Sequence, residues 1–477
     1  MKTYRPACRR HEYRHILLGL FIAGALPATA DVRLPKIFTD NMLLQRDVAV
    51  RVWGWADGGE AVSAAMKGTT VATKADEKGQ WALELPAIKS GENLELTVQG
   101  NNTVTLKNLV VGDIWVCSGQ SNMAMALKPC LGAAEDIQAA EMPNIRHLKI
   151  RNVKSGQPES DAQTATQWQV CTPATAPGFT AVGFYFAREI WQKTGVPIGI
   201  IDTNWGGTRI EPWTAGEEPA TPDAKSDTNG LYNAMIHPLV KLPIKGALWY
   251  QGEANGGEGE TYYDKMRALI GGWRKQWGQG DFPFYYVQLA NFQAPSADPA
   301  GGNGWAKLRE AQTKALSIPN TGMAVIIDSV PLAQSGNIHP VNKYDVGLRL
   351  ARWALARDYG QKKLEASGPL FKALMIEGDK ARVAFNHAGA GLMLGKKEGR
   401  GAVLETKGDK LTRIAIAGAD RKWFWAEAVI DHDMLVVSSP EVKQPVAVRY
   451  AFEMNPDGAN LYNREGLPAG PFRSDAW

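Results

Sequence analysis

The chain has 477 residues, with 53 Lys/Arg against 49 Asp/Glu, a formal net charge of +4 and 44% hydrophobic residues. It is too long for one core, and its charge is too even to call for a polyanionic partner. No long basic run marks a nucleic-acid surface, so no nucleic acid is expected as a partner.

The first thirty residues stand apart. Lys2, Arg5, Arg9, Arg10 and Arg14 surround and precede a short apolar run, Ile16 to Leu26, and Ala28-Thr29-Ala30 is a small-residue cleavage motif. This is the pattern of a secretory signal over 1–30 with Asp31 as the mature N-terminus, so a periplasmic or secreted protein is expected. The run is too short for an anchor, which needs about twenty apolar residues, and no membrane association is expected after cleavage. Five of the 53 basic and one of the 49 acidic residues lie in this leader, which leaves 48 of each and a nearly neutral mature chain. His11-Glu12-Tyr13-Arg14-His15 spells the zinc-peptidase pattern. That motif works only on a helix inside a folded domain, so it reads as coincidence and no metal site is expected. Cleavage would leave Cys117, Cys130 and Cys171. The odd number means at least one thiol is free or pairs between chains. Cys117 lies in an apolar run and reads as a small core residue. Cys130 and Cys171 lie in loop-like sequence, where a disulfide and two free thiols both stay open.

Residues 31–112 read as an N-terminal β domain. Val48-Ala-Val-Arg-Val-Trp53, Trp81-Ala-Leu-Glu-Leu85 and Leu94-Glu-Leu-Thr-Val98 alternate with the period of a half-buried strand, with Gly, Asp and Asn turns between them. Over 113–361 the pattern changes to α/β alternation. Ile198–Ile201, Ala247–Tyr250, Phe284–Val287 and Ala324–Ile327 are short uncharged runs suited to strands buried on both faces. Tyr262, Met266, Leu269/Ile270 and Trp273 recur at helical spacing, as do Val346, Leu350 and Trp353/Ala354. A parallel sheet flanked by helices follows. After a linker, Gly360 to Ser367-Gly368, residues 362–477 form a C-terminal β-rich region, with strands at Arg382–Phe385, Met434–Val437 and Val446–Tyr450.

Chemistry in such sheets gathers beyond the C-terminal strand ends. The most telling segment is Trp115-Val-Cys-Ser-Gly-Gln-Ser-Asn-Met123, where an apolar run stops in a tight turn that can present one hydroxyl, Ser121. Asn204-Trp-Gly-Gly-Thr-Arg209, Gln251-Gly-Glu-Ala-Asn255 and Asn337-Ile-His-Pro340 follow other predicted strands. A hydrolase of the serine type needs a nucleophile, a base and oxyanion donors. Ser121 can be the first and His339 the second. Gly206 and Gly207 can bring a bare N–H close to a substrate, and Asn255 can add a side-chain N–H.

These motifs, in this order, resemble the SGNH hydrolase superfamily and most closely its sialate O-acetylesterase family. The resemblance covers essentially the whole mature chain, from Met42-Leu-Leu-Gln-Arg46 and Val52-Trp-Gly-Trp55 through Trp205-Gly-Gly-Thr208, Leu248-Trp-Tyr-Gln-Gly-Glu-Ala-Asn255 and Ile338-His-Pro340 to Asn460-Leu-Tyr-Asn463. It implies a flavodoxin-like SGNH fold and hydrolysis of O-acetyl esters on a sugar or glycan, without a cofactor. Sialic acids come first, and acetylated xylan or xyloglucan is the rival. By motif match Ser121 is the nucleophile, His339 the base, and the Ser121 N–H, Gly206 or Gly207 N–H and Asn255 form the oxyanion hole. Gln120, Arg209, Trp213, Gln251 and Glu253 are candidate substrate contacts, with Arg209 suited to a sialic acid carboxylate. Packing and a surface ion pair are the other reading of Trp213 and Arg209, and local hydrogen bonds that hold the loop are the favoured reading of Glu253. Many superfamily members carry an Asp three residues before the His, and here that position is Gly336. Either a dyad operates, with a backbone carbonyl orienting the ring, or an acid comes from elsewhere. Asp328 is the candidate, beside its reading as an ordinary turn Asp. A non-catalytic carbohydrate-binding protein on the same fold is the alternative of another class. Retention of Ser121, Asn255 and His339 together argues against it. His237 reads as structural, and His387 and His432 as surface residues.

Overall fold

The computed structural model describes residues 1–4, 7, 31–216 and 229–477. Nearly all of the expected leader, with its cleavage point near Ala30 and His11–His15, lies outside the described residues. No helix among the described residues is long and apolar enough to cross a membrane.

The strands of the N-terminal part are β1 Leu43–Gln45, β2 Val50–Trp55, β3 Ala61–Met66, β4 Thr69–Lys74, β5 Gln80–Leu85, β6 Gly91–Gln99 and β7 Thr103–Gly119. The last has 17 residues and runs unbroken through Gly112. Its first half pairs antiparallel with β6, and its second half enters the central parallel sheet. That sheet adds β8 Met142–Lys149, β9 Gln169–Cys171, β10 Ile198–Asn204, β11 Gly246–Tyr250, β12 Phe284–Val287 and β13 Thr321–Ala324. Its order is β13-β12-β11-β7-β10-β8-β9, all parallel except the β8–β9 pair.

Strand periodicity sorts the two faces. Trp115 and Cys117 of β7 pack into one core with α3 Ala181–Thr194 and α6 Lys343–Arg357. Ile114 and Val116 face the other core, which holds α4 Tyr262–Trp277 and α5 Gly304–Lys314. Two short helices, α1 Ser121–Ala124 and α2 Ala133–Gln138, follow β7. The α/β class is as expected, and the predicted runs at 198–201, 247–250 and 284–287 are strands. The fourth is displaced. The strand is Thr321–Ala324, not Ala324–Ile327, because Arg349 Nη1 takes the Val325 carbonyl at 2.7 Å and the chain leaves the ladder while staying buried.

The C-terminal region folds as antiparallel sheets. One holds Leu370–Glu377, Lys380–Asn386, Met434–Ser438 and Glu427–Asp431, and another holds Ile414–Gly418 and Pro445–Tyr450. Arg309 of α5, fully buried, ties this region down by donating to the Leu289, Ala290, Glu453 and Met454 carbonyls. Cys117, Cys130 and Cys171 are buried free thiols. Cys130 and Cys171 approach the Ala126 and Ala140 carbonyls, so the disulfide left open above is not formed.

Candidate active site

Strands β10, β7 and β11 finish level, with Asn204, Gly119 and Tyr250 in register. Sheet order reverses about β7, which makes this the switch point where a crevice opens. Gly119 takes φ +131°, and a Cβ there would stand 2.1 Å from the Tyr250 carbonyl oxygen. Only glycine lets the chain turn this closely past its neighbour. Ser121 is the first residue of α1, so its N–H lies among those a helix leaves without an internal acceptor. Gly206 lies alongside, and a methyl group added there would sit 3.3 Å from the Ser121 Cβ. Gly207 has φ +74° and open space on its Cβ side.

His339 reaches the same point from the long connection between β13 and α6. Its Nε2 lies 2.8 Å from Ser121 Oγ, across 218 positions of sequence. The Asn337 side chain accepts the His339 N–H at 2.9 Å and shapes this turn. Partial burial, and then the charge of Lys343, push the imidazole below its ordinary pKa, which favours the neutral base. No carboxylate among the described residues pairs with this ring.

Two residues that the motif reading passed over connect nucleophile and base. Asn122, 1% exposed, donates from Nδ2 to the Ile338 carbonyl (3.0 Å) and to Glu253 Oε1, and its Oδ1 accepts from Lys343 Nζ at 2.5 Å. Lys343 is fully buried and lies over the Tyr250 ring. One sequence signal pointed to it. A lysine at the first position of a helix opposes the helix dipole.

Several expected roles need correction. Asp328 does not orient His339, because both its oxygens are held by Arg349, at 2.6 and 2.7 Å. Asn255 does not face the crevice. It is 1% exposed, its Nδ2 points to Glu211, and its Oδ1 accepts from the Ile210 N–H and Gln251 Nε2. Gln251 and Gln120 are buried and bonded to each other, so they are scaffold rather than substrate contacts. Trp213 is core, donating to Thr208 and packed edge-on to Trp249. Arg209 is exposed but held by Glu211, Glu258 and the Ala254 carbonyl. Glu253 turns its carboxylate inward to Asn122, and its Oε2 is buried without a partner. Of the histidines, His237 is fixed by the Glu159 carbonyl at 2.8 Å and His432 is exposed, as expected. His387 is half-buried against Glu365, contrary to its reading as a surface residue. Behind the His339 loop lies a cavity of about 870 Å³ lined by Asp328, Gln334, Asn342, Lys397 and Tyr462; neither Ser121 nor His339 lines it.

A hydroxyl, an imidazole and flanking bare N–H groups at a switch point define an α/β hydrolase of the SGNH type. The sequence profile of the carbohydrate esterases described as sialic acid-specific acetylesterases matches residues 111–356, and the chain belongs to that family. Membership makes it a carboxylic ester hydrolase. The sialate O-acetylesterase of Homo sapiens is 30% identical over 74% of this chain and 76% of the relative. That of Pongo abelii is 28% identical over 96% and 95%. A crystal structure of a carbohydrate acetylesterase from Xanthomonas citri superposes with TM-score 0.86 at 40% identity, covering 94% of this chain and 100% of that one.

Proposed function

We propose that this chain is an exported serine esterase that removes O-acetyl groups from carbohydrates, O-acetylated sialic acids first, through an acetyl-serine intermediate. The 2.8 Å contact between Ser121 Oγ and His339 Nε2 carries this reading. The family description supports the sialic acid, and the basic, apolar leader of the sequence supports export. Ser121 Oγ attacks the acetyl carbonyl carbon and passes its proton to His339. The Ser121 and Gly206 N–H groups meet the oxyanion, each such donor being worth ~10²–10³ in rate. The ester C–O bond breaks, His339 protonates the departing sugar oxygen, and acetyl-Ser121 remains. Water then gives a proton to His339 as it attacks the acyl carbon, the bond to Ser121 Oγ breaks, and His339 returns the proton to that oxygen, leaving acetate and free Ser121. With the imidazole pKa lowered, activity should rise through the pH range below ~6.5, the reference value for histidine.

One observation favours a second substrate class, acetylated xylan or xyloglucan. Arg209, the residue suited to clasp a sialic acid carboxylate, already holds Glu211 and Glu258. The test is acetate release from acetylated sialosides, xylan and xyloglucan by wild type and Ser121→Ala. Release only by wild type supports the esterase, and the preferred substrate decides the sugar. Equal release by both proteins, or none from any substrate, sinks the proposal.

A further inference from the structure

Asn122 follows the serine in sequence, and its amide holds the carbonyl of Ile338, the residue before the histidine. One side chain thus joins the two halves of the reacting pair. An amide can be turned end for end, and here its orientation is fixed by its partners: the Lys343 Nζ donor on Oδ1, the Glu253 carboxylate on Nδ2. Lys343 is 0% exposed, and no carboxylate among the described residues lies within ion-pair distance of it. An ammonium so placed, at the start of α6, is costly to bury and opposed by the helix dipole.

We propose that Asn122 and Lys343 form a latch that sets the spacing of Ser121 and His339, with Lys343 a positioning residue that acts through the Asn122 amide. The proposal rests on the serine-esterase reading above. Groups facing the ammonium are Glu253 from the turn after β11, the Tyr250 ring from β11, the Cys130 thiol from the loop after α1, and His339. Burial lowers the Lys343 pKa to about 7, against the pull of Cys130 and Glu253. Below that pH Lys343 is a cation and resists protonation of His339. Above it the charge fades, when the imidazole is already neutral. The effect of the charge is therefore confined to the acid limb.

The test is the pH profile of kcat/KM for p-nitrophenyl acetate in wild type, Lys343→Gln and Lys343→Met. Lys343→Gln keeps a donor for Asn122 and removes the charge, so its acid limb should move to higher pH with the plateau nearly kept. Lys343→Met loses both, so the limb should move likewise and the plateau kcat should fall roughly 10- to 100-fold, the scale of a small misplacement of reacting groups. A limb that stays in place in a folded variant overturns the role of the charge. An unchanged plateau in Lys343→Met overturns the latch. Activity lost in Ser121→Ala but present in wild type keeps the esterase reading intact under either result.

Discussion

Two buried lysines stand under two strand ends, and the fold treats them oppositely. On the β10 side, Lys265 bonds directly to Glu211 and Glu258, and Arg209 closes the group from the surface. Burial works against the Glu211 carboxylate, yet the Lys265 ammonium and neighbouring donors hold it below the usual carboxylate range. On the α6 side an amide separates the charges. Burial there raises the Glu253 carboxyl, only partly offset by its own turn, Asn122 and Lys343. Direct pairing settles charges into scaffold. Keeping them apart leaves their fields to act on a neighbour, which here is His339.

This contrast assigns the base and its latch to the α6 side, and makes the Lys265 cluster beyond β10 support. His339→Ala should lower kcat by ~10³-fold or more, as for a residue acting jointly with its nucleophile; near-normal turnover in a folded variant would break the assignment. Lys265→Met should leave turnover per folded molecule close to wild type while costing about 3 kcal/mol in urea denaturation, because Glu211 and Glu258 lose their buried partner. The sign with pH sharpens the point. The depressed Glu211 pKa stabilises the fold above the unfolded carboxylate pKa, and that contribution is lost as pH falls through the folded value. The gap between Lys265→Met and wild type should therefore narrow in acid, and a constant gap would mean that packing alone was lost. His237→Ala should keep activity within about twofold, since its ring is held by the Glu159 carbonyl away from the reacting pair. A larger loss would put chemistry on the wrong side of the molecule.

What could be read from sequence was what lies in one contiguous stretch. Ser121 and His339 carry their motifs with them, and β11 and β12 show as apolar runs of strand length. Orientation was not legible. Trp213, Gln251 and Asn255 sit among motif residues, but their side chains turn inward, and no periodicity marks that in a loop. Asp328 lies near a strand end, but its partner Arg349 is 21 positions on, in a helix, where no local pattern marks it. The displaced β13 has the same origin, because an arginine from α6 captured its next carbonyl. Asn122 and Lys343 escaped because their importance arises from one another, across 221 positions.

The unbroken course of β7 has a further consequence. The beam that carries Ser121 at its tip is anchored in the N-terminal β region, with β1 and β6 gripping its root. A protein begun at Asp113 would leave that beam cantilevered, and Val110 and Val111, both 1% exposed, would be missing from the core. Residues 31–112 are thus part of the mounting of the nucleophile, and trimming them back to the hydrolase sheet alone should unseat it.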